Sequence, residues 1–376
     1  MEKNYWETIK PELIKIGFDI DHNFLDNISL KTNKEYIKLK IFKSPIIIHN
    51  FDDSFKNTNE IIIKKCTSTG NEIKNFEMVS YLGKGSYNLV YKIKDLSSNI
   101  DYAYRIPKFK LNKIEILIDN YIEIFIHAFF SIYQKIYLLK NTNNILKLKY
   151  FGYDNNNNSI SSIIDVMDGS LMDILLIKSI PIDQKILILV KALIQITCLI
   201  EHLQKEFRFV HNDLKSNNIF YKIIDRTKDD LYTLDNIYFF IGDFGSSRFE
   251  LNNKIIIGNQ DLANDTSFNS RKDLLLLINS LYYSFNDASW IFNFFGKFTL
   301  DSKIPNNHTN LLKLYYLNEV DIDKLYEPNN FKIFLNQQFK VSINCILTLK
   351  TSEDIVLNMV GRKYKINYNS KLDKKN

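Results

Sequence analysis

The chain has few cysteines, and their positions suit neither cross-linking nor metal binding. Three occur in 376 residues, Cys66, Cys198 and Cys345, far apart and odd in number. No Cys-x-x-Cys pair is present, so we expect neither a structural zinc site nor the disulfide framework of a small secreted protein. This cysteine usage indicates a reducing, intracellular compartment.

The sequence also predicts neither a secretion signal nor a membrane-spanning segment. Its first residues, MEKNYWETIKPELIKIGF, carry charges where a signal peptide has its apolar core. The apolar stretch 186–200 is interrupted by Lys191 and Gln195, which favours a buried helix over a membrane span. We therefore expect a cytoplasmic protein with no membrane span.

A strong charge imbalance is missing as well. The net charge is +6, and basic and acidic residues are mixed along most of the chain. No basic and aromatic residues are interleaved as a nucleic-acid groove requires, so we expect no nucleic-acid partner, although a nucleotide is permitted. With 45% apolar and 14% aromatic residues, the chain can form two domains or one two-lobed unit with extensions.

The most informative stretch is 209–220, FVHNDLKSNNIF, a polar run between apolar flanks. Lys215 and Asn218 follow Asp213 by two and five residues, a spacing at which one loop presents a base, a phosphate clamp and a metal ligand. Twenty-five residues after Asn218, the triplet 243–245 (DFG) supplies a further carboxylate. Either motif alone is weak evidence, but their order and separation together are specific.

These motifs resemble those of the eukaryotic-type protein kinase superfamily. The catalytic loop H-R-D-L-K-x-x-N is matched by residues 211–218, with Asn212 at the position of the Arg, and D-F-G is matched by residues 243–245. Lys215 is more similar to Ser/Thr kinases than to tyrosine kinases. The Asn-, Ile- and Lys-rich composition is similar to that of kinases of large cytoplasmic DNA viruses, which would imply association with the virion, or of an AT-rich protist.

The resemblance implies an α+β, two-lobed protein-kinase-like fold, with a small β-rich N-lobe, a long αC helix and a larger, mainly helical C-lobe. The implied boundaries are an N-terminal extension at 1–75, the N-lobe at 76–165, the C-lobe at 166–362 and a basic tail at 363–376. Residues 113–140 predict one long helix that is apolar almost all round and therefore buried. Within the extension, the pattern predicts a helix at 5–16 broken near Pro11 and strands at 37–42, 46–49 and 61–66.

The resemblance also implies ATP and Mg²⁺ as cofactors and transfer of the γ-phosphate to Ser/Thr hydroxyls of a protein substrate. Asp213 would be the catalytic base, and Lys215 would steady the γ-phosphate. Asn218 and Asp243 would bind magnesium, which prefers oxygen ligands. The implied nucleotide-binding residues are Leu82, Gly83, Gly85, Val90, Ala103, Arg105, Glu123, Asp165, Met167 and Phe220.

Two positions of the nucleotide site depart from the family pattern. In the glycine hairpin, Gly83 and Gly85 allow backbone N–H groups to approach phosphate, but Asn88 stands at the third glycine position. On the next strand, Arg105 stands where the family has Lys. A guanidinium is longer and planar, so this exchange changes the phosphate clamp. Lys108 is the alternative clamp, although it follows a strand-breaking proline.

Two acidic residues of the long helix could pair with Arg105. Glu123 lies eighteen residues after it, which suits the family spacing, and Glu115 lies ten residues after it. We favour Glu123.

The remaining motifs concern the hinge and the activation segment. Residues 165–167 match the hinge, where the backbone of Met167 would bind adenine, with Ile164 as gatekeeper. No A-P-E triplet follows Gly245 before the next helix, where Asp273 resembles the aspartate that anchors the catalytic-loop backbone. Because Asn212 replaces the Arg that pairs with an activation-loop phosphate, we infer a kinase that is not switched by that route.

Two other functions stay open. Arg105, Asn88 and the missing A-P-E triplet would also suit a pseudokinase that acts as a nucleotide-binding or scaffold module. A small-molecule kinase of the aminoglycoside or choline type shares H-x-D-x-x-x-x-N, but Lys215 and Gly245 resemble protein kinases more.

Overall fold

The computed structural model describes residues 4–31, 33–43, 46–50, 60–67, 70–85, 88–108, 114–138, 144–154, 159–259 and 267–284. The part of the predicted C-lobe at 285–362 and the predicted tail at 363–376 lie outside these ranges, as does the tip of the glycine hairpin, residues 86–87.

Contacts divide the chain into two compact units. The first comprises residues 1–139, 145–167 and 242–266, and the second comprises residues 140–144, 168–241 and 267–376. Helices are combined with mainly antiparallel sheets, which confirms the predicted α+β class. The division of the fold into kinase-like lobes stays a prediction.

The first unit begins with three helices, α1 (Tyr5–Lys15), α2 (Phe24–Ile28) and α3 (Lys34–Phe42). We call residues 4–43 the N-terminal layer. The helix predicted at 5–16 is confirmed, but the predicted break is wrong, since α1 runs through Pro11. Pro11 is exposed, and the opposite face of α1 is anchored by four buried side chains, Tyr5, Trp6, Ile9 and Leu13.

The strand predicted at 37–42 is wrong, because this segment belongs to α3. Ile37 and Ile41, four residues apart, are both buried, whereas Leu39 between them is 55% exposed. This spacing fits a helix and not the alternation of a strand. The side chain of Asn33 accepts a hydrogen bond from the backbone N–H of Tyr36 and so caps the start of the helix.

Seven strands of the first unit form a closed, curled sheet with the order β1-β2-β3-β4-β5-β7-β6. Their neighbours are antiparallel, except that one parallel pairing of β1 with β6 closes the barrel. The strands predicted at 46–49 and 61–66 are confirmed as parts of β1 and β2. The bounds are β1 (Ile46–Asn50), β2 (Glu60–Thr67), β3 (Gly70–Lys84), β4 (Asn88–Asp95), β5 (Asp101–Pro107), β6 (Leu148–Asp154) and β7 (Ser159–Asp165).

The core of this barrel takes one buried side chain from each of five strands: Ile61, Phe76, Ile93, Tyr104 and Ile163. Because side chains alternate along a strand, the neighbours of Tyr104 on β5, Ala103 and Arg105, lie on the opposite face. The core therefore fixes the face on which Arg105 lies.

The long helix α4 (Ile114–Tyr137) confirms the helix predicted at 113–140. Sixteen of its residues between Leu117 and Gln134 are buried. The N-terminal layer covers α4 with aromatic rings. Trp6, Phe18 and Phe24 each lie within 6.4 Å of Phe125, measured between ring centroids. Lys34 Nζ also lies 2.9 Å from Glu115 Oε1, and Lys31 forms an ion pair with Asp119.

In its described residues, the second unit combines a small antiparallel sheet with three helices. The sheet has the order β10-β9-β8, formed by β8 (Gly169–Ser170), β9 (Ile219–Ile223) and β10 (Ile237–Ile241). The helices are α5 (Leu171–Leu176), α6 (Ile182–Phe207) and α7 (Lys272–Ser284). Ser170 and Asp173 form a capping box at the start of α5.

Helix α6 contains the buried helix predicted from residues 186–200, and each of its two polar interruptions makes a hydrogen bond inside the unit. Lys191, 1% exposed, donates to the backbone carbonyl of Leu234, and its Nζ lies 4.6 Å from the ring centroid of Tyr238. Gln195 Oε1 accepts from the backbone N–H of Phe239 at 3.2 Å. The two polar residues thus tie α6 to β10 and to the segment before it.

Among the described residues, α4 and α6 are long and apolar enough to cross a membrane on length and composition alone. In each, 83% of the most apolar window is buried within the protein, as it is in many core helices. These two helices are therefore weak evidence for a membrane span.

Burial of Lys191 should make the free energy of unfolding depend on pH. Burial lowers its pKa from 10.5 to about 7, against the attraction of Asp235. Between pH 7 and 10.5 the unfolded chain holds this proton and the folded chain does not, so stability should rise with pH by up to about 1.4 kcal/mol per unit. We expect Lys191→Met to remove this rise, as measured by denaturant unfolding across that range.

The exposed lysine on the same helix, Lys205, provides the matched control. Lys205→Met should keep the slope of the wild type. An unchanged slope in Lys191→Met would contradict the neutral, buried state of Lys191.

Candidate functional site

In the first unit, Arg105 lies between two carboxylates. Its Nη1 forms a close ion pair with Glu123 Oε1, and its Nη2 lies 3.4 Å from Asp243 Oδ1. The side chains of Arg105 and Glu123 are 19% and 10% exposed, while that of Asp243 is 44% exposed. The structure therefore brings together the predicted strand cation, helix carboxylate and DFG aspartate.

The choice between the two helix carboxylates is settled by these contacts. Glu123 pairs with Arg105, whereas Glu115 pairs with Lys34 of the N-terminal layer. Lys108 follows the end of β5. Burial raises the pKa of Glu123, and the positive charge of Arg105 opposes that shift. The positive charge of Arg105 thus reduces the cost of burying this carboxylate.

Asn88 is a third partner of Arg105 that the sequence reasoning did not assign. Hydrogen bonding sets the orientation of its amide, and with its oxygen toward Arg105 it accepts from Nη2 at 2.6 Å and from Nε at 2.9 Å. Asn88 is 9% exposed. The sequence did contain a signal for this contact. The two residues that depart from the family pattern, Asn88 and Arg105, fall on the adjacent strands β4 and β5.

The DFG triplet makes a tight turn beside α4. Asp243 has φ 62°, in the left-handed region that Asp tolerates better than most residues. The ring of Phe244 is buried, with its centroid 5.2 Å from that of His127 and 6.1 Å from that of Phe130. A Cβ on Gly245 would lie 3.2 Å from Glu123 Oε2. The small residue therefore allows the turn to lie against the ion pair.

His127, one turn after Glu123 on α4, supports this turn in a neutral state. Burial lowers its pKa to about 4, and its Nε2–H donates to the carbonyl of Leu146 at 2.7 Å. The imidazole is thus a packing partner of Phe244 at neutral pH.

The segment after Gly245 forms a hairpin of β11 (Arg248–Leu251) and β12 (Lys254–Ile257). The hairpin closes onto the DFG turn, since a Cβ on Gly258 would lie 2.2 Å from the carbonyl oxygen of Gly245. Lys254 Nζ lies 2.6 Å from Asp26 Oδ1 of the N-terminal layer. The compact segment predicted here is thus a folded hairpin over 248–257.

In the second unit, the predicted catalytic loop brings two functional side chains, those of Lys215 and Asn218, onto the carboxylate of Asp213. Lys215 Nζ donates to Asp213 Oδ2 at 2.7 Å. Asn218 Nδ2 donates to the backbone carbonyl of Asp213 at 2.8 Å and to Asp213 Oδ2 at 3.0 Å. Because both amide N–H groups are used in this way, the oxygen of Asn218 is the atom left to bind a metal ion.

Asp273 at the start of α7 anchors this loop, as predicted. Its two carboxylate oxygens accept from the backbone N–H groups of His211 and Asn212, at 2.8 Å and 2.9 Å. Asp273 is fully buried, and burial raises its pKa while these two hydrogen bonds oppose the shift. Asn212 has φ 63°, which suits Asn better than the Arg of the family pattern.

The glycine hairpin and the strand beside it carry the remaining site residues predicted in the first unit. A Cβ on Gly83 or on Gly85 would meet no atom of the described residues within 4 Å, so packing does not require glycine there. Val90 lies directly opposite Arg105 in the register of β4 and β5, and Ala103 is buried on the same face as Arg105. Leu82, near the end of β3, is 45% exposed.

The predicted hinge and pocket residues lie on strands or shortly after one. Asp165 ends β7, donates its backbone N–H to the carbonyl of Lys147 and lies 3.3 Å from Lys149 Nζ. Met167 follows two residues later and ends the stretch 145–167 of the first unit. Phe220, in the second unit, is half-buried on β9 opposite Phe240 of β10.

A scan against protein-family models finds no match to this chain, and a search of curated proteins finds none either.

Proposed function

We propose that this chain is an ATP-dependent protein kinase that transfers the γ-phosphate of ATP to Ser/Thr hydroxyls, and that it has a two-lobed, kinase-like fold. The observation that carries the proposal is the loop around Asp213. A cation and an amide converge there on the carboxylate of the proposed base, and the loop backbone is held by Asp273. Phosphoryl transfer requires this kind of preorganised positioning more than covalent chemistry.

Asp213 would orient the acceptor hydroxyl and take its proton. The acceptor oxygen would then bond to the γ-phosphorus as the bond from that phosphorus to the β,γ-bridging oxygen breaks, leaving ADP. Lys215, which already contacts Asp213, would balance negative charge on the γ-phosphate. Its ammonium also restrains the carboxylate that receives the proton.

Residues of the first unit would bind the rest of the nucleotide. Arg105 would contact the α- and β-phosphates while Glu123 restrains it. The open space over Gly83 and Gly85 would allow backbone N–H groups to approach phosphate oxygens. The adenosine part would be contacted by Leu82, Val90, Ala103, Asp165 and Met167, and also by Phe220 of the second unit.

The residues proposed for magnesium have suitable ligand atoms. Asp243 offers a carboxylate that is 44% exposed, and Asn218 offers an amide oxygen whose nitrogen is occupied elsewhere. Oxygen ligands of this kind suit Mg²⁺. When bound, the ion would neutralise charge on the phosphates of ATP.

A nucleotide-binding pseudokinase is the second candidate, and the contact between Arg105 and Asp243 favours it. A guanidinium 3.4 Å from the metal carboxylate offsets the negative charge that a cation would otherwise bind. In that case the chain would bind nucleotide weakly or without magnesium and would transfer no phosphate.

A thermal-shift titration with ATP, with and without Mg²⁺, followed by radiolabel transfer to generic protein substrates, separates the two candidates. We expect a magnesium-dependent shift and transfer in the wild type. Asp243→Asn should lose the magnesium dependence and keep its fold, because Asp243 lies at a partly exposed turn. A magnesium response unchanged in Asp243→Asn would overturn the metal assignment, and wild-type binding without any transfer would favour the pseudokinase.

A further inference from the structure

We propose that Asn88 is a positioning residue for Arg105, and that the two departures from the family pattern form one compensating pair. This inference rests on the proposed function, because it concerns the phosphate clamp of that site. In this view the Asn at the third glycine position and the Arg at the lysine position act as one unit.

The register of β4 and β5 places both side chains on one face. Asn88 lies opposite Pro107 and Val90 lies opposite Arg105, so Asn88 and Arg105 are diagonal neighbours. Diagonal neighbours on one face of an antiparallel pair are within reach of long side chains. The contacts of 2.6 Å and 2.9 Å to the Asn88 oxygen show that this reach is used.

The three partners divide the guanidinium among them. The amide oxygen of Asn88 accepts hydrogen bonds from Nε and Nη2 of Arg105. The carboxylate of Glu123 pairs with Nη1, and that of Asp243 lies near Nη2. A guanidinium has five N–H donors in a fixed plane, so partners on three sides fix both its position and its orientation. A lysine ammonium has no Nε–H at this position and could not use the Asn88 oxygen in the same way.

Glycine at position 88 would remove the only one of these three partners that carries no charge. Arg105 would then be held by the two carboxylates alone, and its plane would be free to turn toward Asp243. Asn88 thus sets the direction in which the guanidinium faces, and it does so without adding negative charge beside the phosphates of ATP.

A double-mutant cycle tests the pair, with Asn88→Gly, Arg105→Lys and the double variant compared with wild type in kcat/KM for phosphoryl transfer. We expect each single change to reduce transfer by about tenfold, and the double variant to lose far less than the product, about a hundredfold, because it restores the family combination. Asn88→Leu, similar in size but without an acceptor, should behave as Asn88→Gly does. Losses that multiply in the double variant, or an active Asn88→Leu protein, would overturn the proposal.

The melting temperatures of the same four proteins are also measured without nucleotide. This measurement tests the contact between the two residues whether or not the protein is a kinase. We expect the shift of the double variant to be smaller than the sum of the single shifts, because the two residues contact each other. If the wild type neither binds ATP nor transfers phosphate, the kinase proposal fails while this coupling still stands. Additive shifts would overturn the pairing itself.

Discussion

Asp213→Ala is expected to lose about 10²- to 10⁴-fold in the rate of phosphoryl transfer, the usual contribution of a general base, while still binding ATP. The carboxylate acts on the acceptor hydroxyl and not on the nucleotide. Its removal also frees Lys215 and Asn218, which both donate to Asp213 Oδ2. The measurements are single-turnover transfer from radiolabelled ATP and the ATP-induced thermal shift.

Asp229→Ala is the matched control, since Asp229 is an exposed carboxylate in the loop that follows β9 of the same unit. It should leave both transfer and binding unchanged. Transfer that survives in Asp213→Ala within a few fold of wild type would show that Asp213 is not the base.

Arg105→Ala is expected to reduce kcat/KM by at least about tenfold, corresponding to roughly 1.4 kcal/mol of transition-state stabilisation. It should also lower the free energy of unfolding by about 3 kcal/mol, because Glu123, 8% exposed, would lose its cation while remaining buried. Transfer kinetics and denaturant unfolding measure the two effects separately.

The half-exposed pair of Lys92 with Asp101, 2.7 Å apart on the same two strands, provides the control. Lys92→Ala removes a cation from a carboxylate outside the site and should cost less than about 1 kcal/mol. An active enzyme in which Arg105→Ala is silent and Lys108→Ala is not would place the phosphate clamp beyond Pro107.

The elements that carry the site could be predicted because their patterns are local. The apolar helix at 113–140 has a clear period, and the spacing from Arg105 to Glu123 correctly identified the ion pair. The anchoring role of Asp273 could be predicted because it depends on one residue type at the start of one helix. In these cases nothing distant in the chain competed with the local signal.

The errors arose where distant contacts decide the structure. The sequence IKLKI alternates as a strand does, yet α3 forms because Ile37 and Ile41 are buried and Lys40 lies 2.9 Å from both Asp19 and Asp21. The link from Asn88 to Arg105 depends on the register of two strands, which the sequence alone does not fix. The hairpin over 248–257 likewise depends on its contacts with the DFG turn.

The N-terminal layer has a consequence for the conformational equilibrium of α4. A rotation of α4 that carried Glu123 away from Arg105 would have to separate its aromatic side chains from Trp6, Phe18 and Phe24. At about 1 kcal/mol for each of these four ring contacts, the rotated state would be occupied by roughly one molecule in a thousand. The N-terminal layer thus holds α4 in the orientation in which Glu123 contacts Arg105. The conformation with this ion pair formed is therefore the resting state of the first unit.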